Sequence, residues 1–206
     1  MTRLPSHFYA MIDPAGGHDP VALAKIFLDS GARIMQLRMK DAPARAILAA
    51  AREIAPLCRE RGAIFIVNDR LDIALLAGAG GIHLGQDDLP LEAARRVAGA
   101  KMLIGISTHD AEQARAAESG GADYVGFGPI YPGGLKANAA GVGLDALRAV
   151  RAVVKIPIVA IGGITESSLP EVLAVGADAA AIITDVVKAP DVAAKVRSIL
   201  ANDRVN

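Results

Sequence analysis

The sequence predicts an α/β fold, a closed (β/α)8 barrel, on three observations. Short apolar, β-branched runs alternate with longer Ala-, Leu- and Arg-rich stretches of helical period, eight of each. A Gly-Ala pair recurs just before four of the runs, at Gly31-Ala32, Gly62-Ala63, Gly121-Ala122 and Gly176-Ala177. Polar residues gather at the C-terminal ends of the runs, whereas the opposite ends are mostly Ala, Gly and Pro. Strict alternation implies a parallel sheet, and runs apolar on both faces imply strands buried on both sides. Eight units in 206 residues fit a single small TIM barrel better than an open doubly wound sheet.

Taken in order, the first strand spans His7 to Asp13 and is followed by a helix near 20–30. The second, Ala32 to Lys40, ends in Gln36-Leu37-Arg38-Met39-Lys40 and leads to a helix near 43–61. The third, Ala63 to Asp69, ends in Asn68-Asp69 before a helix at 70–78. Gly81 to Gln86 forms the fourth, with Gln86-Asp87-Asp88 at its exit and a helix at 90–98. Met102 to Thr108 forms the fifth, ending in Ser107-Thr108-His109 before a helix at 110–119. The sixth, Tyr124 to Ile130, precedes a helix at 143–153, and the seventh, Pro157 to Gly163, precedes one at 165–175. The eighth, Ala179 to Asp185, is followed by the closing helix at 190–201. A glycine just past a helix end takes the left-handed conformation that stops the helix and turns the chain into the next strand, which explains the Gly-Ala pairs.

Composition narrows the function classes. With 52% apolar residues and a net charge of zero (22 Lys plus Arg against 22 Asp plus Glu), the chain has the reverse of a disordered signature. The same balance argues against a nucleic-acid partner, which needs a basic surplus on one face. No apolar run approaches the roughly 18 residues of a membrane span, and Met1 to His7 lacks the apolar core of a signal peptide, so a cytoplasmic protein with no membrane partner is expected. The single cysteine, Cys58, falls in a helical pattern with Ile54 and Leu57 and reads as a buried thiol. No linker divides the chain, so one domain over 1–206 is expected, with its last few residues frayed and a homo-oligomer left open.

In such a barrel the chemistry lies at the C-terminal ends of the strands. Alternation along the second strand puts Gln36, Arg38 and Lys40 on one face and Met35, Leu37 and Met39 on the other. With the Met and Leu face against the helices, an amide and two cations point into the mouth. Asp69 and Asp88 become rim neighbours and read as a Mg²⁺ site, since hard oxygen ligands in small number suit an ion that also binds substrate phosphates. Structural ion pairs with Arg38 and Lys40 are the alternative for the same residues. His83 and His109 lack Cys partners and read as packing or hydrogen-bonding residues. Ile161-Gly162-Gly163-Ile164 and Ile183-Thr184 end strands seven and eight, where barrels often bind phosphate on exposed backbone N–H groups.

The ordered series Gln36-Leu37-Arg38-Met39-Lys40, Phe65-Ile66-Val67-Asn68-Asp69-Arg70, Gly81-Ile82-His83-Leu84-Gly85-Gln86-Asp87-Asp88, Gly105-Ile106-Ser107-Thr108-His109, Gly128-Pro129-Ile130-Tyr131-Pro132 and Ala160-Ile161-Gly162-Gly163-Ile164 resembles the thiamine phosphate synthases (thiamine-phosphate pyrophosphorylases) from the first strand to the last helix. The resemblance implies a Mg²⁺-dependent transferase joining hydroxymethylpyrimidine diphosphate to a thiazole phosphate, with release of pyrophosphate. It implies that Gln36, Arg38, Lys40, Asn68, Ser107 and Lys136 hold the pyrimidine diphosphate, with Arg38, Lys40, Ser107 and Lys136 serving catalysis. It further implies Asp69 and Asp88 as metal ligands, and Gly163 with the backbone at Ile183-Thr184 as the thiazole phosphate site. No Ser-His-Asp or Cys-His set is expected.

Two stretches depart from the family pattern. Where the family usually reads Pro-Thr-x-Thr-Lys, this chain has Pro132-Gly133-Gly134-Leu135-Lys136, keeping the lysine and losing both hydroxyls. Asp185 replaces a small residue, and its carboxylate would repel a bound phosphate unless it points away or pairs with a cation. The alternatives are a thiazole-phosphate isomerase of the sister tautomerase branch, whose histidine after strand six is replaced here by Pro129, and a non-catalytic phosphate-binding barrel.

Overall fold

A computed structural model describes residues 3–133 and 140–201. Eight parallel strands close in sequence order, β1-β2-β3-β4-β5-β6-β7-β8 and back to β1. They are β1 (Phe8–Ile12), β2 (Ile34–Leu37), β3 (Ile64–Asn68), β4 (Gly81–Leu84), β5 (Leu103–Thr108), β6 (Tyr124–Phe127), β7 (Ile158–Ala160) and β8 (Ala179–Ile182). Helices α1 (Pro20–Asp29), α2 (Ala44–Glu60), α3 (Leu71–Ala77), α4 (Leu91–Ala98), α5 (Ala111–Ser119), α6 (Gly143–Val153), α7 (Leu169–Ala174), α8 (Thr184–Val187) and α9 (Val192–Ala201) surround them. Pairing of Met11 with Gln36, Gln36 with Ile66, and Phe8 with Ala180 fixes the register around the closure. The glycines of all four Gly-Ala pairs take the expected left-handed conformation, with φ between 64° at Gly62 and 117° at Gly176.

The strands are shorter than the apolar runs suggest. The second ends at Leu37 and not Lys40, and the eighth ends at Ile182, after which the chain turns into the short helix α8. The ladder stops where each chain must leave the barrel to reach its helix, but alternation persists briefly. Arg38 N still donates to Ile12 O at 2.9 Å, which keeps Gln36 and Arg38 facing the same way. The expected fraying at the chain's end concerns 202–206, outside the described residues.

Two cores follow from the alternation. Phe8, Ala10, Ile12, Met35, Leu37, Phe65 and Val67 face outward and pack under the helices. Tyr9, Met11, Ile34, Ile66, Tyr124, Val159 and Ala179 face inward and fill the lower barrel. Inward positions on β5 and β6 are glycine for a steric reason. A Cβ on Gly105 would lie 2.1 Å from the Tyr124 ring, and one on Gly126 would lie 2.9 Å from the His83 ring. These two absences of side chain let Tyr124 and His83 occupy the barrel axis.

At the N-terminal end, Asp123 and Asp178 precede β6 and β8 and clamp the neighbouring strands. Asp123 accepts from Ile104 N at 2.8 Å and from Arg95 at 2.6 Å. Asp178 accepts from Ile158 N at 2.8 Å and from Arg151 at 2.9 Å. Cys58 is buried, and that burial pushes its thiol up to about 12. No helix among the described residues is long and apolar enough to cross a membrane.

Candidate active site

The strand exits enclose an open cavity of about 710 Å³ above the aromatic layer. Gln36, Arg38, Lys40, Asn68, Asp69, Asp88, Ser107, Gly163, Ile183 and Thr184, ten of the eleven residues expected at the site, line it. The eleventh, Lys136, lies outside the described residues.

The cationic wall comes from β2. Arg38 donates to Asp13 at 2.6 Å, and Asp13, buried at the end of β1, also accepts from Ala15 N at 2.9 Å. Asp13 therefore holds the guanidinium over the cavity, and the ion pair for Arg38 is Asp13 and not the rim pair. Lys40 lies 4.0 Å from Asp69, too far for a strong bond.

The carboxylate pair comes from β3 and β4. Asp69 has φ 61°, a left-handed turn open to few residues other than Gly, Asn and Asp. That turn brings its side chain within hydrogen-bonding reach of Asp88. Asp88 is held in turn by Gly85 N, which donates to its Oδ2 at 2.6 Å. Burial, followed by the hydrogen bond and charge of Asp88, pushes Asp69 up to about 6 against the opposing pull of Lys40 and Arg38. Crowding by a second carboxylate favours the protonated form of Asp69, and a bound cation would take the place of that proton. Among the described residues no group of three or more His, Cys, Asp or Glu forms a metal cage, so an ion here would draw its remaining ligands from substrate and water.

The anion-binding end is built on β6, β7 and α8. Ile130 N donates to Ile161 O at 2.8 Å and Tyr131 N to Gly162 O at 3.1 Å, zipping the two exits together beyond their strands. Gly162 and Gly163 have φ 87° and 68°, and a Cβ on Gly162 would sit 2.4 Å from Pro129. Only glycine fits this approach. The first turn of α8 leaves the amides of Thr184 and Asp185 without an intrahelical acceptor.

Beneath these groups lies a buried polar chain that sequence reasoning missed. Gln36 Nε2 donates to Tyr9 Oη at 3.0 Å, Tyr9 and Tyr124 hydroxyls meet at 2.8 Å, Tyr124 Oη lies 3.0 Å from His83 Nδ1, and His83 Nε2 lies 2.9 Å from Ser107 Oγ. A serine and a histidine are thus paired, but with a tyrosine and no aspartate behind them. The pair is not an activated nucleophile: the second ring nitrogen of His83 meets a phenol and not a carboxylate, and burial pulls the imidazole down to about 4. His83 remains the hydrogen-bonding residue expected of it. His109 is likewise bonded, its Nδ1 donating to Gly128 O at 2.6 Å.

A family model described as thiamine monophosphate synthase matches residues 8–186. The chain belongs to the thiamine monophosphate synthase family. It is 51% identical over 184 residues to the thiamine-phosphate synthase of Methanospirillum hungatei, covering 89% of each chain, and 47% identical over 185 residues to that of Moorella thermoacetica, covering 89% of this chain and 88% of the other. The solved structure of a thiamine phosphate pyrophosphorylase from Pyrococcus furiosus matches with a TM-score of 0.88 at 35% identity, covering 97% of this chain and 98% of that one.

Against this thiamine monophosphate synthase pattern, Asp185 is accommodated. Its Oδ2 lies 3.1 Å from Lys195 Nζ and accepts from Glu166 N at 2.9 Å, so its charge is engaged on the α9 side. Pro129 lies on the cavity wall. Of the altered loop, Gly133 lies on the wall with φ 92°, while Gly134, Leu135 and Lys136 fall outside the described residues.

Proposed function

We propose that this site condenses hydroxymethylpyrimidine diphosphate with thiazole phosphate to give thiamine phosphate and pyrophosphate, with Mg²⁺ held by Asp69 and Asp88. The observation that carries the reading is the pairing of two mutually repelling carboxylates with Arg38 and Lys40 at one rim of the cavity, opposite glycine-built backbone at the other. One rim suits a diphosphate with its metal, and the other suits a second, smaller phosphate.

The reaction needs charge stabilisation more than acid–base chemistry. The bond between the pyrimidine methylene carbon and the diphosphate oxygen breaks, and its electron pair leaves with pyrophosphate. The resulting cation is stabilised by the aminopyrimidine ring. The thiazole nitrogen then donates its lone pair to that carbon, forming the C–N bond with no proton transferred. Negative charge grows only on the leaving group, so donors aimed there lower the barrier.

Arg38, fixed by Asp13, and Lys40 face the leaving group, with Lys136 proposed as a third. Asn68 and Ser107 orient the same substrate, and Gln36 addresses its ring. Bound Mg²⁺ would neutralise the diphosphate as a Lewis acid. Gly163 and the backbone at Ile183-Thr184 hold the thiazole phosphate, placing its nitrogen against the methylene carbon. Because phosphorylated substrates do not cross membranes unaided, a cytoplasmic location goes with this chemistry.

The test is purified protein with both substrates and Mg²⁺, followed for thiamine phosphate and pyrophosphate. Equal amounts of the two products are expected. Ligand binding without turnover would leave a non-catalytic barrel, and turnover of thiazole phosphate alone would leave an isomerase.

A further inference from the structure

The polar chain under the cavity joins two groups that both line it, Gln36 on β2 and Ser107 on β5. Between them stand Tyr9, Tyr124 and His83, buried among apolar side chains on the barrel axis. Each interior member has few hydrogen-bonding choices. A phenol has one proton to give, and a neutral imidazole carries one N–H and one lone pair. Once one end is fixed, every link follows.

Two arrangements satisfy the whole chain. In the first, the Gln36 amide donates to Tyr9, Tyr9 to Tyr124, Tyr124 to His83 Nδ1, and His83 Nε2–H to Ser107. Ser107 then has its own proton free for the cavity, and Gln36 presents Oε1, which accepts from no group among the described residues. In the second, every donor and acceptor is reversed, so Ser107 offers a lone pair to the cavity and Gln36 offers N–H groups.

We propose that Tyr9, Tyr124 and His83 are positioning residues forming one directional relay, which couples recognition of an anionic acceptor at Ser107 to recognition of an N–H donor at Gln36. The choice of direction comes from charge. Lys40 and Arg38 draw a polyanion to this rim, and phosphate oxygens accept but do not donate. An anion beside Ser107 therefore selects the first arrangement, which turns Gln36 Oε1 toward the ligand. A ligand bearing both an anionic group and an amino group satisfies both ends, and one lacking the amino group leaves Gln36 Oε1 without a donor. The relay needs a neutral imidazole, and both ring nitrogens of His83 meet neutral hydroxyls and no carboxylate. This inference rests on the proposed aminopyrimidine diphosphate substrate.

Tyr124→Phe and Tyr9→Phe keep the rings and remove the links. Calorimetry with hydroxymethylpyrimidine diphosphate and Mg²⁺ should show Tyr124→Phe weakening binding about ten-fold, the scale of one lost hydrogen bond. Thiazole phosphate affinity should stay within about two-fold of the parent on the same reasoning. The double variant should bind no worse than Tyr124→Phe alone, because both sit on one chain. Tyr9→Phe should lose the parent's preference for the amino-bearing ligand over its deamino analogue. Imidazole ¹⁵N spectra with the pyrimidine diphosphate bound should place the His83 proton on Nε2. A proton on Nδ1, additive losses, or equal weakening of both ligands would overturn the relay. If the parent binds without turnover while these patterns hold, the synthase reading fails and the relay stands; if turnover is intact and Tyr124→Phe changes nothing, the reverse follows. A parent that does not bind the pyrimidine diphosphate defeats both.

Discussion

Aspartate does opposite things at the two ends of this barrel. At the N-terminal end Asp123 and Asp178 each accept a backbone N–H from the neighbouring strand and an arginine from the helix that leads into that strand. At the C-terminal end Asp69 faces Asp88 from a left-handed backbone, and among the described residues the cation paired with it, Lys40, is 4.0 Å away. The first pair closes the sheet with its charges satisfied. The second keeps its charges close together, a crowding that a proton, a ligand or a metal relieves. Stability and function thus draw on the same residue type, and the partners around it distinguish the roles.

The largest effect should come from removing a member of the frustrated pair. Asp88→Ala is expected to lower turnover by roughly a hundred-fold or more, as loss of several kcal/mol of leaving-group stabilisation implies. Its melting temperature should hardly change. Chelator should abolish activity of the parent, and steady-state assays with added Mg²⁺ check both statements. Full activity of Asp88→Ala in chelator would exclude the metal site.

A smaller effect is expected one step behind the rim. Asp13→Asn leaves Arg38 without its charged anchor, and turnover should fall about ten-fold with little change in the KM for thiazole phosphate. A matching rise in that KM would move Arg38 to the other substrate.

The pair should also be visible without substrate. Asp69 binds a proton more tightly folded (about 6) than its ordinary value of 3.8, so the folded state holds the extra proton between these values. Its contribution to stability is full below pH 3.8 and fades as pH rises through about 6. Thermal melts of metal-free protein should show that decline, and Asp69→Asn, which keeps the left-handed turn, should flatten it.

The smallest effect concerns the altered loop. Gly133 has φ 92°, a conformation β-branched residues avoid, so restoring threonine there would require the backbone to move. Leu135→Thr alone adds back one hydroxyl and should raise turnover by about ten-fold, the lower end of the worth of a hydrogen bond to a charged group. No change in rate would show that this hydroxyl does not limit the reaction.

Much of this was legible in the sequence, because the barrel repeats one βα rule and ends each unit in polar residues. Arg38, Lys40, Asp69, Asp88 and Gly163 stood out as polar or glycine punctuation after apolar runs. The rest was hidden for physical reasons. Tyr9 and Tyr124 lie inside apolar runs and read as core, since nothing local reveals that two phenols 115 positions apart will meet. Asp13 was visible only as a polar strand end, not as the anchor of Arg38. Helix α8, with four residues, is too short to carry a period. The clamps had a signal: Asp follows the Gly-Ala pair in Gly121-Ala122-Asp123 and Gly176-Ala177-Asp178, but not at Gly31-Ala32 or Gly62-Ala63.

The contrast between the two ends is tested most directly by measuring melting temperature and kcat side by side for Asp69→Asn and Asp123→Asn. At the top, the substitution relieves repulsion, so the melting temperature should hold or rise while kcat falls by roughly a hundred-fold. At the bottom, it weakens the acceptor for both Arg95 and Ile104 N, so the melting temperature should drop by several degrees, about 1–2 kcal/mol, with kcat unchanged. If instead Asp69→Asn melts early and Asp123→Asn loses its activity, the division between a stabilising and a functional end is wrong.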